Sequence, residues 1–456
     1  MDLLGDLGAN DQLISAREEN KVLQARVKEL SGRVKVLTVE NAALTAEVEM
    51  YRKERSALMT EKSSNNSGNH PKDSSATVVV LDDFMTSGDG VYPTEVIASL
   101  PITGGIANPL CCAMDSTDSI LAAGCADGTL VLCPWGMATA PHASAVTDCL
   151  ESKSARISLG SPIICTAFCG YNNKNVIAAA GMDGNIHLVV YQKQITGEIR
   201  VVTESTVKNA IQHNKYVKTL SWGPTTTQDK KESLLLASGS ADGTVRLSKV
   251  TLNTMVKTDD DDEALQLTVE ILKTFHLKGT IEATAFVNDG NTLVWYERDT
   301  PFLTYLNIEK DYEIVTYSLN GDAPTGGFQD HVSFAVMHLV VSPNGKYLCA
   351  ATDSSRNIIM QVGTSNIVRN LYGHQNDSFS QPRVAWSKNG SYIYGNAQDD
   401  GSTTIIVWDI ASSNIISRLE GVHRGQVRDL YSSPTSDTLV TASYDKSVKI
   451  WANAFE

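Results

Sequence analysis

The chain has 456 residues, of which 42% are apolar and 20% charged, and its net charge at pH 7 is -14. This length and apolar content are enough for at least one large folded domain, which excludes a wholly disordered protein. The excess of acidic residues disfavours binding to nucleic acid or to an anionic membrane, because both require a concentrated positive surface.

The N-terminus and the cysteines give no sign of secretion. Residues 1 to 8 carry no basic residue ahead of an apolar core, and no stretch approaches the length of a membrane-spanning helix. The eight cysteines show no CxxC spacing, so we expect buried thiols, with no disulfide framework, metal site or cofactor. The sequence predicts a soluble intracellular protein of the cytoplasm, the nucleus or both, without membrane insertion.

Residues 13 to 62 carry a heptad repeat that predicts a coiled coil. One seam position holds mainly Leu and the other mainly Val or Asn. The central seam residues are Leu23, Val27, Leu30, Val34, Leu37, Asn41, Leu44 and Val48. β-Branched residues at the first position with Leu at the second favour a parallel two-stranded coil, and a buried Asn pair disfavours other registers. We therefore expect a parallel homodimer through this segment.

Other interpretations of the heptads are weaker or remain open. An amphipathic helix lying on the protein's own surface would not need a strict alternation over several heptads. A leucine-zipper transcription factor requires a strongly basic helix before the zipper, whereas residues 1 to 19 hold five acidic residues and only Arg17. Pairing with the helix of a different protein remains open.

Residues 63 to 76 have the composition of a flexible linker. From Ser63 to Ser75 there is no apolar residue to bury. We therefore predict three parts: a coiled coil at 13–62, a linker at 63–76 and a main domain at 77–456.

From residue 94 onward, short runs of Val, Ile, Leu and Thr alternate with polar turns. An Asp turn recurs at intervals of 46 to 59 residues, at Asp127, Asp183, Asp242, Asp299, Asp353, Asp399 and Asp445. An Asp-Gly turn between two apolar runs is typical of a β-hairpin. Seven units of four short strands predict an all-β, seven-bladed propeller.

The last of these units has only three predicted strands and ends near Trp451. The run from Glu95 to Leu100 precedes the first complete unit and is placed to supply the fourth strand. Pairing the first and last strands in one blade would close the ring and remove two exposed sheet edges.

These units resemble the WD-repeat β-propeller family over residues 94 to 456. The resemblance rests on Trp408-Asp409, on Gly373-His374 and on the last unit. There, four residues match the family's structural tetrad: His423, Ser443, Asp445 and Trp451. The resemblance implies a chain of hydrogen bonds from indole to hydroxyl to imidazole to carboxylate, which locks the blade.

Most units depart from the family's pattern. The position expected to hold Trp is occupied in five units by Cys133, Val189, Ser248, Tyr305 and Ile359. His423 also follows Gly421-Val rather than Gly directly. These departures imply that most blades depend on apolar packing more than on the tetrad.

The sequence contains no motif of a catalytic site. GxSxG, HExxH, phosphate-loop and dinucleotide fingerprints are all absent. The seven Asp residues recur at one structural position, which favours turn formation over acid/base or calcium chemistry. The acidic run from Asp259 to Glu263 is expected in a long, solvated loop between the third and fourth units. The first-strand positions offer mainly apolar residues with Lys218 and Arg428, so a propeller enzyme is the disfavoured alternative.

Three loops that enter first strands concentrate aromatic and basic residues at the end that carries the Asp turns. The candidate partner-binding residues are Lys215, Tyr216, Lys218, Phe379, Arg383, Arg424, Arg428 and Tyr444. In the WD-repeat family this end surrounds the central channel and commonly holds partner peptides, and aromatic residues with Arg are typical of hot spots. We predict a non-catalytic scaffold or adaptor that binds proteins through its propeller. A signalling subunit similar to G-protein beta subunits, whose coil pairs with another helix, is the alternative.

Overall fold

The computed structural model describes residues 24, 26, 28, 91–102, 106–135, 153–169, 175–228, 231–256, 263–321, 333–376, 380–399, 402–421 and 423–453. The chain divides into two compact units, Met1–Val79 and Val80–Glu456. In the first unit, Gln24, Arg26 and Lys28 are described, and all three are helical and exposed. The predicted seam residues from Leu23 to Val48 lie outside the described residues. Within the described ranges, no helix has the length and apolar character that crossing a bilayer requires.

The second unit is built from short antiparallel strands. Apart from one 3-10 turn at Asn288–Gly290, its described elements are all β. In chain order, the strands are β1 (Glu95–Pro101), β2 (Pro109–Met114), β3 (Ile120–Cys125), β4 (Thr129–Pro134), β5 (Ala155–Ser158), β6 (Ile163–Phe168), β7 (Val176–Gly181), β8 (Asn185–Lys193), β9 (Ile199–Val201), β10 (Val207–Gln212), β11 (Val217–Gln228), β12 (Lys231–Ser240), β13 (Thr244–Val256), β14 (Glu263–His276), β15 (Ile281–Val287), β16 (Thr292–Glu297), β17 (Phe302–Asn307), β18 (Glu313–Ser318), β19 (Val336–Val341), β20 (Tyr347–Thr352), β21 (Asn357–Gln361), β22 (Ile367–Leu371), β23 (Val384–Trp386), β24 (Tyr392–Asp399), β25 (Ser402–Asp409), β26 (Ile415–Leu419), β27 (Val427–Ser432), β28 (Leu439–Ser443) and β29 (Ser447–Ala452).

These strands form seven sheets, the blades of a propeller. Blade 1 has the order β2-β3-β4-β5, and blade 2 has β6-β7-β8-β10 with β9 also paired to β8. Blades 3 to 6 take β11–β14, β15–β18, β19–β22 and β23–β26 in sequence order, and blade 7 has β27-β28-β29-β1. The first strand of each blade lies innermost and contacts the first strands of its two neighbours, so the ring is closed. The predicted all-β, seven-bladed propeller is confirmed.

Blade 7 is completed by the strand nearest the N-terminus. β1 pairs antiparallel with β29 from Glu95 opposite Ala452 to Pro101 opposite Ser447. This pairing confirms the closure expected from the sequence. It leaves the third strand of blade 7 with a partner on each side, so no edge is exposed there.

Apolar side chains hold neighbouring blades together. Among the residues that the structure describes, seven hydrophobic clusters each combine residues from two adjacent blades. The second strands are buried along most of their described length, as in β7 (VIAAAG) and β28 (LVTAS), because a neighbouring blade covers each face. These strands therefore read as continuous apolar or small-residue runs rather than as alternating patterns.

Blade 3 differs from the sequence-based expectation. The acidic run from Asp259 to Glu263 was expected in a long loop between the third and fourth units. In the structure, β13 and β14 extend as a ribbon until Val256 lies opposite Glu263, so Glu263 belongs to a strand of blade 3. The Thr and Leu residues that flank the acidic run continue the β pattern, and this explains the longer hairpin. Asp259 to Asp262 lie outside the described residues.

Candidate interaction surface

Two kinds of connection meet at one end of each blade, which we call the turn end. The turn between the second and third strands bonds to the segment that enters the first strand. In blade 1 the amide of Ala126 donates to Asn108 O at 2.9 Å, and in blade 7 the amide of Tyr444 donates to Gln426 O at 2.9 Å. The loops that were predicted to lie beside the Asp turns therefore do so.

Close packing at these turns explains the Asp-Gly pairs. Gly184, after Asp183 in blade 2, has a φ of 84°, and a Cβ there would lie 2.4 Å from the carbonyl oxygen of His213. Glycine alone accommodates both the left-handed backbone and this approach. Asp183 accepts the amide of Asn185 at 3.1 Å, which is the turn-forming role expected for it.

Blade 7 contains a chain of side-chain hydrogen bonds that joins its turn to its strands. Nδ1 of His423 lies 2.8 Å from Asp445 Oδ2, and Nε2 lies 2.8 Å from Thr441 Oγ1. The indole Nε1 of Trp451 donates to the same hydroxyl at 2.9 Å. Burial lowers the pKa of His423 more than the neighbouring carboxylate of Asp445 raises it, so the imidazole is held neutral.

The hydroxyl of this chain belongs to Thr441, and its assignment to Ser443 was wrong. Ser443 is two residues further along β28, where the strand ends. Its hydroxyl donates to Gly425 O at 2.8 Å and accepts the amide of Asp445 at 3.2 Å, so it stabilises the turn instead. Both side chains lie on the same face of β28, but only Thr441, two residues before the end of the strand, is within hydrogen-bond distance of Trp451.

Blade 3 has a related chain without a tryptophan. His213 Nδ1 lies 2.8 Å from Thr244 Oγ1 and 3.5 Å from Asp242 Oδ2, and its Nε2 lies 2.8 Å from Ser238 Oγ. Burial lowers the pKa of His213 to about 4. Ser248, which replaces Trp, is fully buried, and its hydroxyl has no hydrogen-bond partner in the described part of the chain.

Blade 6 keeps the tryptophan but uses it differently. The indole of Trp408 donates to the carbonyl oxygen of Tyr372 at 2.9 Å. The ring of His374 lies edge-on to the indole with 5.0 Å between centroids. The carboxylate of Asp409 accepts the amide and hydroxyl of Ser412, at 2.9 and 2.5 Å. These residues therefore brace blade 6 at the entry of its first strand and at its third-to-fourth-strand turn.

The first strands surround a central channel with a cavity of about 640 Å³. Sequence reasoning placed mainly apolar residues here and missed several charged groups. Glu282 is buried, and its two oxygens bond to Lys218 Nζ and, at 3.0 Å, to Arg298 Nη1. Arg298 also lies 3.7 Å from Asp353, which connects blades 3, 4 and 5. Burial lowers the pKa of Lys218, although Glu282 opposes this effect.

A second charged group lies across the channel. Arg383 Nε is 3.6 Å from Asp429 Oδ1, and Asp429 Oδ2 accepts the amide of Cys112 at 2.9 Å. Burial raises the pKa of Asp429, although Arg383 opposes the shift. Aligning the first strands would have revealed Lys218, Glu282 and Asp429, because each lies at the second or third residue of its strand.

The predicted partner-binding residues fall into two sets. Four of them are exposed at the turn end: Lys215, Tyr216, Arg424 and Tyr444. Three are partly buried beside the channel rather than in open loops: Lys218, Arg383 and Arg428. Phe379 lies outside the described residues.

The turn end also carries exposed apolar side chains, of which the sequence singled out Tyr216 and Tyr444 but not the other three. Five of the eleven exposed large apolar residues of the described chain lie there, with 36% to 80% of their surface exposed: Ile106, Met182, Tyr216, Tyr372 and Tyr444. They belong to blades 1, 2, 3, 5 and 7 or to the connections between them. Tyr and Met, which make up four of these five residues, are enriched at protein interaction sites relative to the rest of the surface.

Comparison with known proteins agrees with this architecture. A family model described as "WD domain, G-beta repeat" matches residues 205–247 and 415–452. The chain is 25% identical over 179 residues to a guanine nucleotide-binding protein subunit beta of Saccharomyces cerevisiae. That match covers 39% of this chain and 36% of the yeast protein, so it spans about a third of the relative's length. These matches and the seven-bladed structure together support a WD-repeat β-propeller family for this chain.

Proposed function

We propose that the protein is a non-catalytic scaffold that binds partner proteins through the turn end of its propeller. The observation that carries this proposal is the exposure of Ile106, Met182, Tyr216, Tyr372 and Tyr444 on that one face. Tyrosine supplies a large, rigid contact area at a small entropic cost, and Arg424 with Lys215 adds polar contacts at the rim.

The bonding of the buried carboxylates near the channel supports a scaffold rather than an enzyme. An acid or base must be able to exchange a proton with a substrate. The carboxylate of Glu282 is bonded to Lys218 and Arg298, and that of Asp429 is bonded to an amide and faces Arg383. These carboxylates are used in linking blades.

Capture of cellular partners by the full chain tests the binding face. We expect the double variant Tyr216→Ser/Tyr444→Ser to lose partners by about tenfold, because central aromatic residues carry much of the energy of an interface. The matched control is Ile271→Ser/Ile314→Ser, which removes similarly exposed apolar side chains, 45% and 49% exposed, from the outer strands of blades 3 and 4. Equal loss of the same partners in both variants would contradict a binding site at the turn end.

We further propose that residues 13–62 form a parallel homodimeric coil, tethered through residues 63–76 to the propeller at 77–456. Val at one seam position, Leu at the other, and Asn41 within the seam support this proposal. A dimer would present two propellers at once, and the second contact would gain from effective concentration without any new interface.

Light scattering on the full chain and on a chain beginning at residue 76 tests the coil. We expect a dimer that becomes a monomer on truncation. The partial similarity to a G-protein beta subunit favours a second candidate, in which the coil pairs with a different helix. A monomer for both chains would support that candidate, and residues 13 to 58 would then serve as bait for the partner helix.

A further inference from the structure

Six of the seven first strands contain a bulge at the same place. Their pairing with the second strand skips one residue near the turn end, between Pro109 and Cys111 in blade 1 and between Val427 and Asp429 in blade 7. The skipped residues are Leu110, Ile164, Lys218, Glu282, Met337 and Arg428. A bulge re-aims the side chain of its extra residue, and the skipped residues stand at corresponding positions of their blades, so these six residues form one ring of positions near the turn end.

The charges in this ring are not evenly matched. Lys218 in blade 3 has Glu282 as its neighbour in blade 4, and the two form an ion pair. Arg428 in blade 7 has Leu110 as its neighbour in blade 1, and the corresponding residue in blade 6 is Pro382. No hydrogen bond or ion pair joins the guanidinium of Arg428 to any residue that the structure describes.

A second arginine near Arg428 is also incompletely satisfied. Nε of Arg383 is buried and has no hydrogen-bond partner among the described residues, and its contact with Asp429 at 3.6 Å exceeds hydrogen-bond length. Asp429 lies 3.6 Å from Arg383 and follows Arg428 directly in the chain, and one of its oxygens is already bonded to the amide of Cys112. Two guanidinium groups therefore share one carboxylate.

The charge of Arg383 acts on Arg428. Burial, followed by the nearby charge of Arg383, lowers the pKa of Arg428. A partly buried guanidinium without a hydrogen-bond partner is unfavourable, and a bound anion would offset this cost. Tyr444, which is 40% exposed at the turn end, lies within electrostatic reach of Arg428, so Arg428 is near that surface.

We propose that Arg383 and Arg428 form a binding site for one carboxylate, supplied by an Asp or Glu side chain of a partner peptide at the channel mouth. The two arginines and Asp429 together carry one net positive charge, which matches a monoanion rather than a doubly charged phosphate. Planar guanidinium groups bind carboxylates with bidentate geometry. This site rests on the proposed partner binding at the turn end, and it specifies the chemistry of the partner.

Two degenerate nonapeptide pools test the site on the immobilised full chain. One has a central Glu and the other a central Gln, and the flanking positions are randomised among uncharged residues. We expect the wild-type protein to retain the Glu pool about tenfold better than the Gln pool. R428Q and R383Q should bring this ratio close to one. Arg200→Gln, which removes an exposed arginine from β9, should keep the wild-type ratio.

The same experiment separates this site from the proposed function. Tyr216→Ser/Tyr444→Ser should weaken retention of both pools while leaving their ratio unchanged. A wild-type ratio near one, or a ratio that R428Q leaves unchanged, would overturn the carboxylate site and leave partner binding at the turn end intact.

The effect of small anions on the melting temperature tests the carboxylate site without a peptide. Sodium acetate should raise the melting temperature of the wild-type chain more than that of R428Q, each relative to sodium chloride at equal ionic strength, because a site adds to the general stabilisation that a kosmotropic anion gives. R428Q itself should melt no lower than the wild type, because it removes an unpaired, partly buried charge. An acetate effect as large in R428Q as in the wild type would overturn the proposal.

Discussion

Trp451 and Thr441, on neighbouring strands of blade 7, are joined by a hydrogen bond of 2.9 Å from the indole Nε1 to the hydroxyl Oγ1. The same hydroxyl contacts Nε2 of His423, whose Nδ1 reaches Asp445. One threonine therefore connects the third strand of the blade with its turn. These hydrogen bonds stabilise blade 7, where the first and last strands of the propeller pair.

Thr441→Val should lower the free energy of unfolding by about 2 to 4 kcal/mol, because it leaves a buried indole N–H and an imidazole nitrogen without their partner. Ser443→Ala removes bonds within a turn and should cost about 1 kcal/mol. Urea denaturation of both variants compares them. A larger loss for Ser443→Ala would contradict the role assigned to Thr441.

His213 should make the propeller sensitive to acid. Its pKa falls from 6.5 in the unfolded chain to about 4 in the folded protein, since burial disfavours the charged imidazole. Between these values the unfolded state binds a proton that the folded state does not, so stability falls as the pH decreases from 6.5 to 4. The contribution that is lost reaches about 3 kcal/mol.

His213→Gln should be less stable at pH 7, because the bonds to Thr244 and Ser238 are weakened, but its stability should depend less on pH in this range. Urea denaturation of the wild type and the variant at pH 7 and pH 5 measures the difference. A parallel loss of stability in both proteins would show that His213 is not the group responsible.

Ser248→Ala should stabilise blade 3. The hydroxyl of Ser248 is fully buried and has no hydrogen-bond partner in the described part of the chain, so its removal should raise the free energy of unfolding by about 1 kcal/mol. Ser238 is equally buried, but its hydroxyl contacts His213 at 2.8 Å. Ser238→Ala should therefore destabilise the protein. Thermal melts that place the two variants on the same side of the wild type would contradict this account.

Deleting residues 94 to 100 should destabilise the whole propeller, because β1 covers the edge of β29 and supplies Ala98 and Leu100 to the cluster between blades 7 and 1. Deleting residues 1 to 62 should leave the melting temperature of the propeller unchanged. Circular dichroism melts of the two truncated chains make this comparison. Equal tolerance of both deletions would contradict closure of the ring by β1.

The repeat was readable from the sequence because each blade needs the same local chemistry. The Asp-Gly pairs, as at Asp183-Gly184, follow from the conformation of a tight turn, and the apolar runs follow from strands covered on both faces. Both signals are local, so they show the number of blades. The last unit then lacks a fourth strand, and this identifies β29 as the partner of β1. Local sequence could not show which residue supplies the hydroxyl of the tetrad. Thr441 and Ser443 occupy the same face of β28, and only the position of Trp451 distinguishes them.

The sequence by itself therefore determined the seven-bladed fold, its closure and the end of the propeller where aromatic and basic residues collect. Only the tertiary structure decided which of these residues are exposed and which line the channel. Glu282 meets Lys218 across a blade boundary, and Asp429 meets Arg383 in the same way. Such pairs depend on the register and bulges of separate strands, 46 to 64 residues apart in the chain, and no local pattern encodes that distance.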